Sequence, residues 1–251
     1  MPQVLDPLPA RSVVLSMLLG AHPVPMNSSE LTRAGDHFGI AASTVRVALS
    51  RAVGTGDLVR EDGVYRLGAR LVGRQIHQEE AAAASEADWD GTWEMAIVVV
   101  GGRSGAERAT LRDRLAQARL AELREGVWTR PANLQRIPSY ADEPVLTTFR
   151  SQPDDDPVAL ASRLWDLSRW ANEGRRHLAR LAATTEPAPR LAAAARMVRH
   201  LSEDPLLPTE LLPPDWPGAE MRASYAAYQA ELAELALTDR GSRERLKTSR
   251  A

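Results

Sequence analysis

Between Asn27 and Leu67 the spacing of apolar positions changes twice, and each change predicts a new element. Leu31, Ala34 and Phe38 recur at helical intervals, and Asn27 with Glu30 three residues on forms the pattern of a capping box, in which each side chain satisfies a backbone N–H at the helix start. Gly39 allows a sharp turn, and Ile40 is placed to fill the angle before a second helix from about Ala41 to Val53. On that helix Val45, Ala48, Leu49 and Ala52 share one side, while Ser43, Arg46, Val47 and Ser50 share the other, flanked by Thr44 and Arg51. The period then shortens to two. Leu58–Glu61 and Val64–Leu67 alternate about Asp62-Gly63, a pair that tolerates the positive φ angles of a type I′ turn. Upstream, the apolar run Ala10–Gly20 predicts a first helix of the same unit, so that this region reads as a winged helix-turn-helix.

Past Leu67 the pattern changes again. A helix is expected over Ala69–Ala84, ending in an alanine-rich connector, and the short apolar run within Glu94–Val100 suits a buried strand. A glycine-rich turn, Gly101–Gly105, leads into a helix over Ala106–Leu120 with Leu111, Leu115 and Ala118 on one side. Extended segments flank Gly126, and another covers Val145–Phe149. This strand-helix-strand-strand-strand order predicts a ferredoxin-like α+β unit whose second helix is short or degraded between Ala132 and Tyr140.

From Asp154 helices are expected throughout. Asp154–Asp156 before Pro157 mark a helix start, with Leu160, Leu164, Leu167 and Ala171 as its buried stripe, continued by Leu178 and Leu181. Further helices are expected over Arg190–Ser202 and from Gly218 to about Leu237. The proline-rich stretch between them is expected to wrap the helical surface through Leu206, Leu207, Leu211, Leu212 and Trp216. The fold class is α+β. Its expected parts are a winged helix at 1–75, a helical linker at 76–88, a ferredoxin-like unit at 89–152, a helical C-terminal unit at 153–240 and a frayed tail at 241–251.

Charge alters this picture locally. The chain of 251 residues has a net charge of −2, so affinity for a polyanion must come from a patch. Residues 1–75 carry 8 Arg against 6 acids, and the remainder carries 23 basic residues against 27 acids. Thirty of the 31 basic residues are Arg, a bias that reflects genome composition better than function. Absence of cysteine removes disulfides and thiolate chemistry, fits a cytoplasmic location, and no apolar run reaches the roughly 20 residues of a membrane span. Arg11 with the apolar SVVLSMLLGA imitates a secretory signal, but Asp6 and the absence of a small-x-small cleavage site argue for the helix.

Several sequences resemble one family. TVRVALSRAVGTGDLVREDGVYRL at Thr44–Leu67, WDGTWEMAIVVV at Trp89–Val100, REGVWTRPANL at Arg124–Leu134, LWDL at Leu164–Leu167 and DPLLPTELLPPDWPGAE at Asp204–Glu220 together resemble the PaaX-type transcriptional regulators. The resemblance implies a winged helix, a middle unit similar in fold to CRISPR-associated adaptation nucleases, and a helical C-terminal unit. It also implies a homodimer on an inverted repeat of double-stranded DNA, repression of transcription, and release by a small-molecule effector, with acyl-CoA thioesters as the effector class.

On this basis Ser43, Arg46, Val47 and Ser50 are expected to face the major groove, with Arg46 reading a base, while Thr44 and Arg51 meet phosphates. Arg60 and Arg66 of the hairpin are expected to add backbone or minor-groove contacts. No catalytic residue, cofactor or metal is expected. A metal-dependent nuclease is the competing class, but the first middle strand ends in Val98-Val99-Val100-Gly101-Gly102 without a carboxylate, and Asp142-Glu143 reads better as a solvated loop. The Gly101–Gly105 turn lacks a P-loop lysine, so a tight strand-to-helix connection is favoured over a phosphate cradle. His22, His37, His77, His177 and His200 lie far apart in sequence and show no metal-ligand spacing. Trp89, Trp93, Trp128, Trp165, Trp170 and Trp216 could line an effector pocket, although packing is the favoured role for most. Arg196, Arg199 and His200 crowd one helix as an exposed basic face rather than a phosphate site, and no effector residue is assigned.

Overall fold

The computed structural model describes residues 8–21, 24–72 and 88–248, with side chains of the last helix as far as Glu234. Two compact units form. One comprises Met1–Ala82, Glu173–Glu203 and Pro217–Ala251, and the other Ala83–Asn172 and Asp204–Trp216.

The first unit begins with α1 (Ala10–Ala21), β1 (Met26–Asn27), α2 (Ser28–His37), α3 (Ala42–Gly54), β2 (Leu58–Glu61) and β3 (Val64–Leu67). Its three strands are ordered β1-β3-β2 and pair antiparallel, so α2 and α3 are framed by the winged-helix element order. The hairpin register places Leu58 opposite Leu67 and Glu61 opposite Val64, with Asp62 at φ 50° and Gly63 at φ 79° in the turn, the two positive values that a type I′ turn demands. Residues 69–72 are helical, and the rest of the helix expected over Ala69–Ala84 lies outside the described residues.

Three later helices contribute to the same unit: the C-terminal part of α6 (Leu167–Ala183), α7 (Pro187–Ser202) and α8 (Gly218–Thr248). Pro187 opens α7, where its missing N–H costs nothing. Helix α8 continues past the expected end near Leu237.

The second unit is built on a four-stranded antiparallel sheet ordered β5-β6-β4-β7, from β4 (Trp93–Val98), β5 (Ala121–Arg124), β6 (Val127–Pro131) and β7 (Leu146–Ser151). This is the strand order of a ferredoxin-like sheet. Helix α4 (Gly105–Gln117) covers one face, where Ala96, Leu111, Leu115, Trp128 and Tyr140 form a core. No helix forms between Ala132 and Tyr140. The irregular chain there buries Tyr140, whose hydroxyl donates to the Glu94 carboxylate.

Side chains alternate across a strand, so Trp93 projects from the opposite face to Ala96. There it packs with Leu160 and Ala161 of α5 (Pro157–Leu164), Leu167 of α6, and Leu207 and Leu211. The proline-rich stretch therefore packs on α5 and the start of α6, as expected, and also reaches Trp93 of the sheet. It is fixed by the Leu206 carbonyl, which accepts from Arg130 and Asn133 at 3.0 Å each. The stripe expected to run unbroken from Leu160 is also interrupted: Trp165 is extended (φ −129°, ψ 137°), and Asp166 then caps α6 by accepting from Arg169 N–H at 3.1 Å. At the start of α5 the Asp156 carboxylate accepts from Ala159 N–H at 2.9 Å, with Pro157 in the first turn.

Candidate nucleic-acid interface

The helix-turn-helix is held by local devices that the sequence spells out. Asn27 Oδ1 accepts from Ser29 and Glu30 N–H at 3.0 Å each, and Glu30 accepts from Asn27 N–H at 2.7 Å, so both arms of the capping box form. Leu31, Gly35 and Phe38 are buried, while Ala34 is half-buried. Gly35 lets α2 approach α3 closely, because a Cβ there would stand 2.5 Å from Val45 Cγ2. Gly39 makes the turn at φ 70°.

Val45, Ala48, Leu49 and Ala52 anchor α3 from beneath. Its outward side exposes Ser43, Thr44, Arg46, Val47, Ser50 and Arg51, the six helix residues expected to meet DNA. Half of Val47 is open to solvent, an apolar surface of the kind that meets a thymine methyl. No side chain caps the start of α3, which leaves the positive end of its dipole beside the exposed Ser43 and Thr44.

The hairpin register separates the two wing arginines. Arg60 lies opposite Tyr65, with its guanidinium carbon 5.6 Å from that ring, whereas Arg66 lies opposite Val59. Directly opposed residues share a sheet face and neighbours alternate, so the two arginines project from opposite faces.

Asp57 was not expected to matter. It sits buried between α3 and the hairpin, and its carboxylate accepts from Arg11 of α1, from Arg70 and, at 2.7 Å, from Thr55 Oγ1. These donors, Arg11 first, hold its pKa down to about 2. One carboxylate thus ties α1, the end of α3 and the chain beyond the hairpin together. The sequence signal was an acid in an otherwise acid-free Gly-Thr-Gly-Asp-Leu stretch.

Three protein-family models match successive parts of the chain: PaaX-like protein at residues 9–71, the PaaX protein central Cas2-like domain at 86–155 and the PaaX-like protein C-terminal domain at 165–238. The chain belongs to the PaaX-like family. This PaaX-like protein is also 46% identical to an uncharacterized protein of Mycobacterium tuberculosis of known structure, over 91% of this chain and 97% of that one, with a TM-score of 0.82. No curated protein matches it. Family membership supports a transcriptional regulator.

Elsewhere in this PaaX-like protein the candidate chemical sites are structural. Ser104 in the glycine-rich turn caps α4, and Glu107 closes the box by accepting from Ser104 N–H at 2.7 Å, which puts a carboxylate where a phosphate would have to sit. Glu143 pairs with Arg114, and among the described residues no group of three His, Asp or Glu is arranged to hold a metal. Trp93, Trp128 and Trp170 are buried; Trp170 stacks on Trp216 at 4.3 Å, and Trp93 meets Trp89 and Trp165 at 6.4 and 6.5 Å. His177 and His200 are brought together by α6 and α7, their rings 5.2 Å apart, with Glu173 4.0 Å from His200; His22 and His77 lie outside the described residues. Also among the described residues, no helix is long and apolar enough to cross a membrane.

Proposed function

We propose that this protein is a sequence-specific DNA-binding regulator that acts as a homodimer on an inverted repeat, represses transcription, and is released by a small-molecule effector of the acyl-CoA class. The observation that carries the DNA-binding reading is the outward side of α3: six exposed residues, Arg46 and Arg51 among them, on a helix without an acid. A polyanion meets cations, hydroxyls and the positive end of a helix dipole there, and no like charge on the helix. Arg46 sits mid-face, where a guanidinium can bond O6 and N7 of a guanine together for roughly 1–3 kcal/mol of discrimination. Thr44 and Arg51 flank it for phosphates.

Arg66 contributes a backbone contact from the outer wing face, diluted by Glu61 and Asp62 at the tip. The effector half of the proposal follows from family likeness and assigns no residue by itself.

The test is selection of an operator from random-sequence DNA, followed by gel-shift titration of variants. Arg46→Ala is expected to lose about 1–3 kcal/mol of preference for the operator over a scrambled site. Arg66→Ala is expected to weaken binding to both sequences alike and to flatten the salt dependence by about one phosphate contact. An unchanged operator preference in Arg46→Ala removes the base-reading assignment.

A further inference from the structure

Helix α1 is apolar on both sides. Val13, Val14, Met17 and Leu18 are buried, and α1 packs against α3. A helix of the winged-helix core needs one such stripe, yet Leu15 and Leu19, with Ser12 and Ser16, lie on the other side. That second side forms one wall of a cavity of about 370 Å³ within the first unit. Leu191, Ala195 and Val198 of α7 and Tyr225, Tyr228 and Leu232 of α8 supply the other walls. Among the described residues two charged side chains line it, Arg199 and Arg222, and none of the lining residues is acidic. Apolar walls of this size with a few convergent polar groups have the form of a small-molecule site.

We infer that this cavity binds a small amphipathic anion, an acyl or aryl body between α1, α7 and α8 with its negative group at Arg199 and Arg222, and that occupancy shifts α1 and through it α3. An apolar body gains by leaving water against Leu15, Leu19, Leu191 and Val198. A carboxylate or phosphate is favoured at the arginine end because a guanidinium makes charge-assisted hydrogen bonds to it. The other polar residues at the cavity are serines, a glutamine and phenols, which can donate hydrogen bonds to an anion or its carbonyl. The coupling runs through α1 because one helix has the cavity on one side and the DNA-facing helix on the other. A ligand that fits only when α1 moves outward lowers DNA affinity by its preference for that state. This last step rests on the DNA-binding reading; the binding site itself does not.

The test uses the full chain and three probes: 8-anilinonaphthalene-1-sulfonate, octanoate and octanoyl-CoA. Saturable dye fluorescence at one site per chain is expected, with displacement by octanoate or octanoyl-CoA, and the one that displaces at lower concentration identifies a free acid or a phosphorylated thioester as the natural form. Ala195→Trp, which fills the cavity, is expected to abolish binding. Arg199→Ala, at an exposed position, is expected to weaken octanoyl-CoA by about tenfold while the thermal melt stays unchanged. If Ala195→Trp does not melt cooperatively, Arg199→Ala decides alone. Absence of saturable binding by all three probes, or binding indifferent to Arg199→Ala and to any folded Ala195→Trp, overturns the site.

Gel shifts on the selected operator then read the coupling. Binding of a probe with unchanged operator affinity overturns it. Failure to bind any DNA overturns the reading under Proposed function, and leaves the fluorescence result to stand by itself.

Discussion

Asp57 shows how one residue can hold a reading head in shape. Its side chain is almost wholly shielded while its two arginine partners remain largely in solvent, Arg11 at 49% and Arg70 at 73% exposure. Exposed partners weaken an ion pair, so Asp57→Asn is expected to cost about 1 kcal/mol rather than the several of a deeply buried pair. The carboxylate pKa is lowered from 3.8 to about 2, so the folded state prefers the charged form. The stabilisation is complete above pH 4, falls as pH drops from about 4 toward 2, and is absent below both values. Urea unfolding at a series of pH values should show this acid limb in the native protein and its loss in Asp57→Asn.

His177 acts in the opposite sense. Burial, then the neighbouring His200 and Arg180, lower its pKa below 6.5, so the unfolded chain takes up its proton first. Stability contributed by neutral His177 is full above 6.5 and declines as pH falls below it. Glu173 offsets part of the shift and Arg196 adds to it, so His177→Gln should flatten that slope in the same titration without touching the limb of Asp57.

At the scale of elements, the angle between α2 and α3 depends on a missing side chain. Gly35→Val would drive a branched Cβ into Val45, and overpacking of this kind costs about 1–3 kcal/mol. Operator affinity should fall with it, since α3 must tilt to make room. Gly54→Ala, where an added Cβ meets nothing within 4 Å, is the matched control and should be neutral or slightly stabilising by thermal melt. The elements themselves were legible. The capping box, the buried stripe of α3, the Asp-Gly hairpin and the strand-helix-strand-strand-strand order all follow from local spacing, which is where sequence carries most information.

What escaped was set by partners distant in the chain. Gly35 reads as a helix residue until Val45 is placed against it. His177 and His200 are 23 positions apart and meet only when α6 and α7 pair. The break at Trp165 leaves the hydrophobic spacing intact, so periodicity passed over it, although Asp166 before Arg169 was a cap signal. Two features could have been found. The hairpin register follows from Asp62-Gly63, and it puts Arg60 beside Tyr65 and Arg66 on the other face. The apolar residues on both sides of α1 likewise require a second covering layer, which α8 provides.

For the whole molecule, the near-neutral net charge of −2 has a consequence for how operators are found. A strongly basic protein binds any DNA tightly through counterion release; here the basic excess is confined to residues 1–75, while the remaining 23 basic residues are outnumbered by 27 acids, so nonspecific affinity should be low. Two such heads on a symmetric dimer would double the phosphate contacts and multiply discrimination, which makes the proposed dimer the source of useful affinity. A two-fold dimer requires matching α3 helices to enter successive major grooves on one side of the duplex, with half-sites centred about one helical turn, roughly 10–10.5 base pairs, or a multiple of it apart. Inserting five base pairs between the half-sites rotates one by half a turn and should lower affinity to that of a single half-site, whereas inserting ten should restore much of it if the dimer can span the added length. Analytical ultracentrifugation of the protein with each DNA separates the cases. Tight binding of one dimer on the native spacing, and binding on the five-pair insertion no tighter than to a lone half-site, are the expected result; equal affinity for all spacings would mean that the heads read DNA independently.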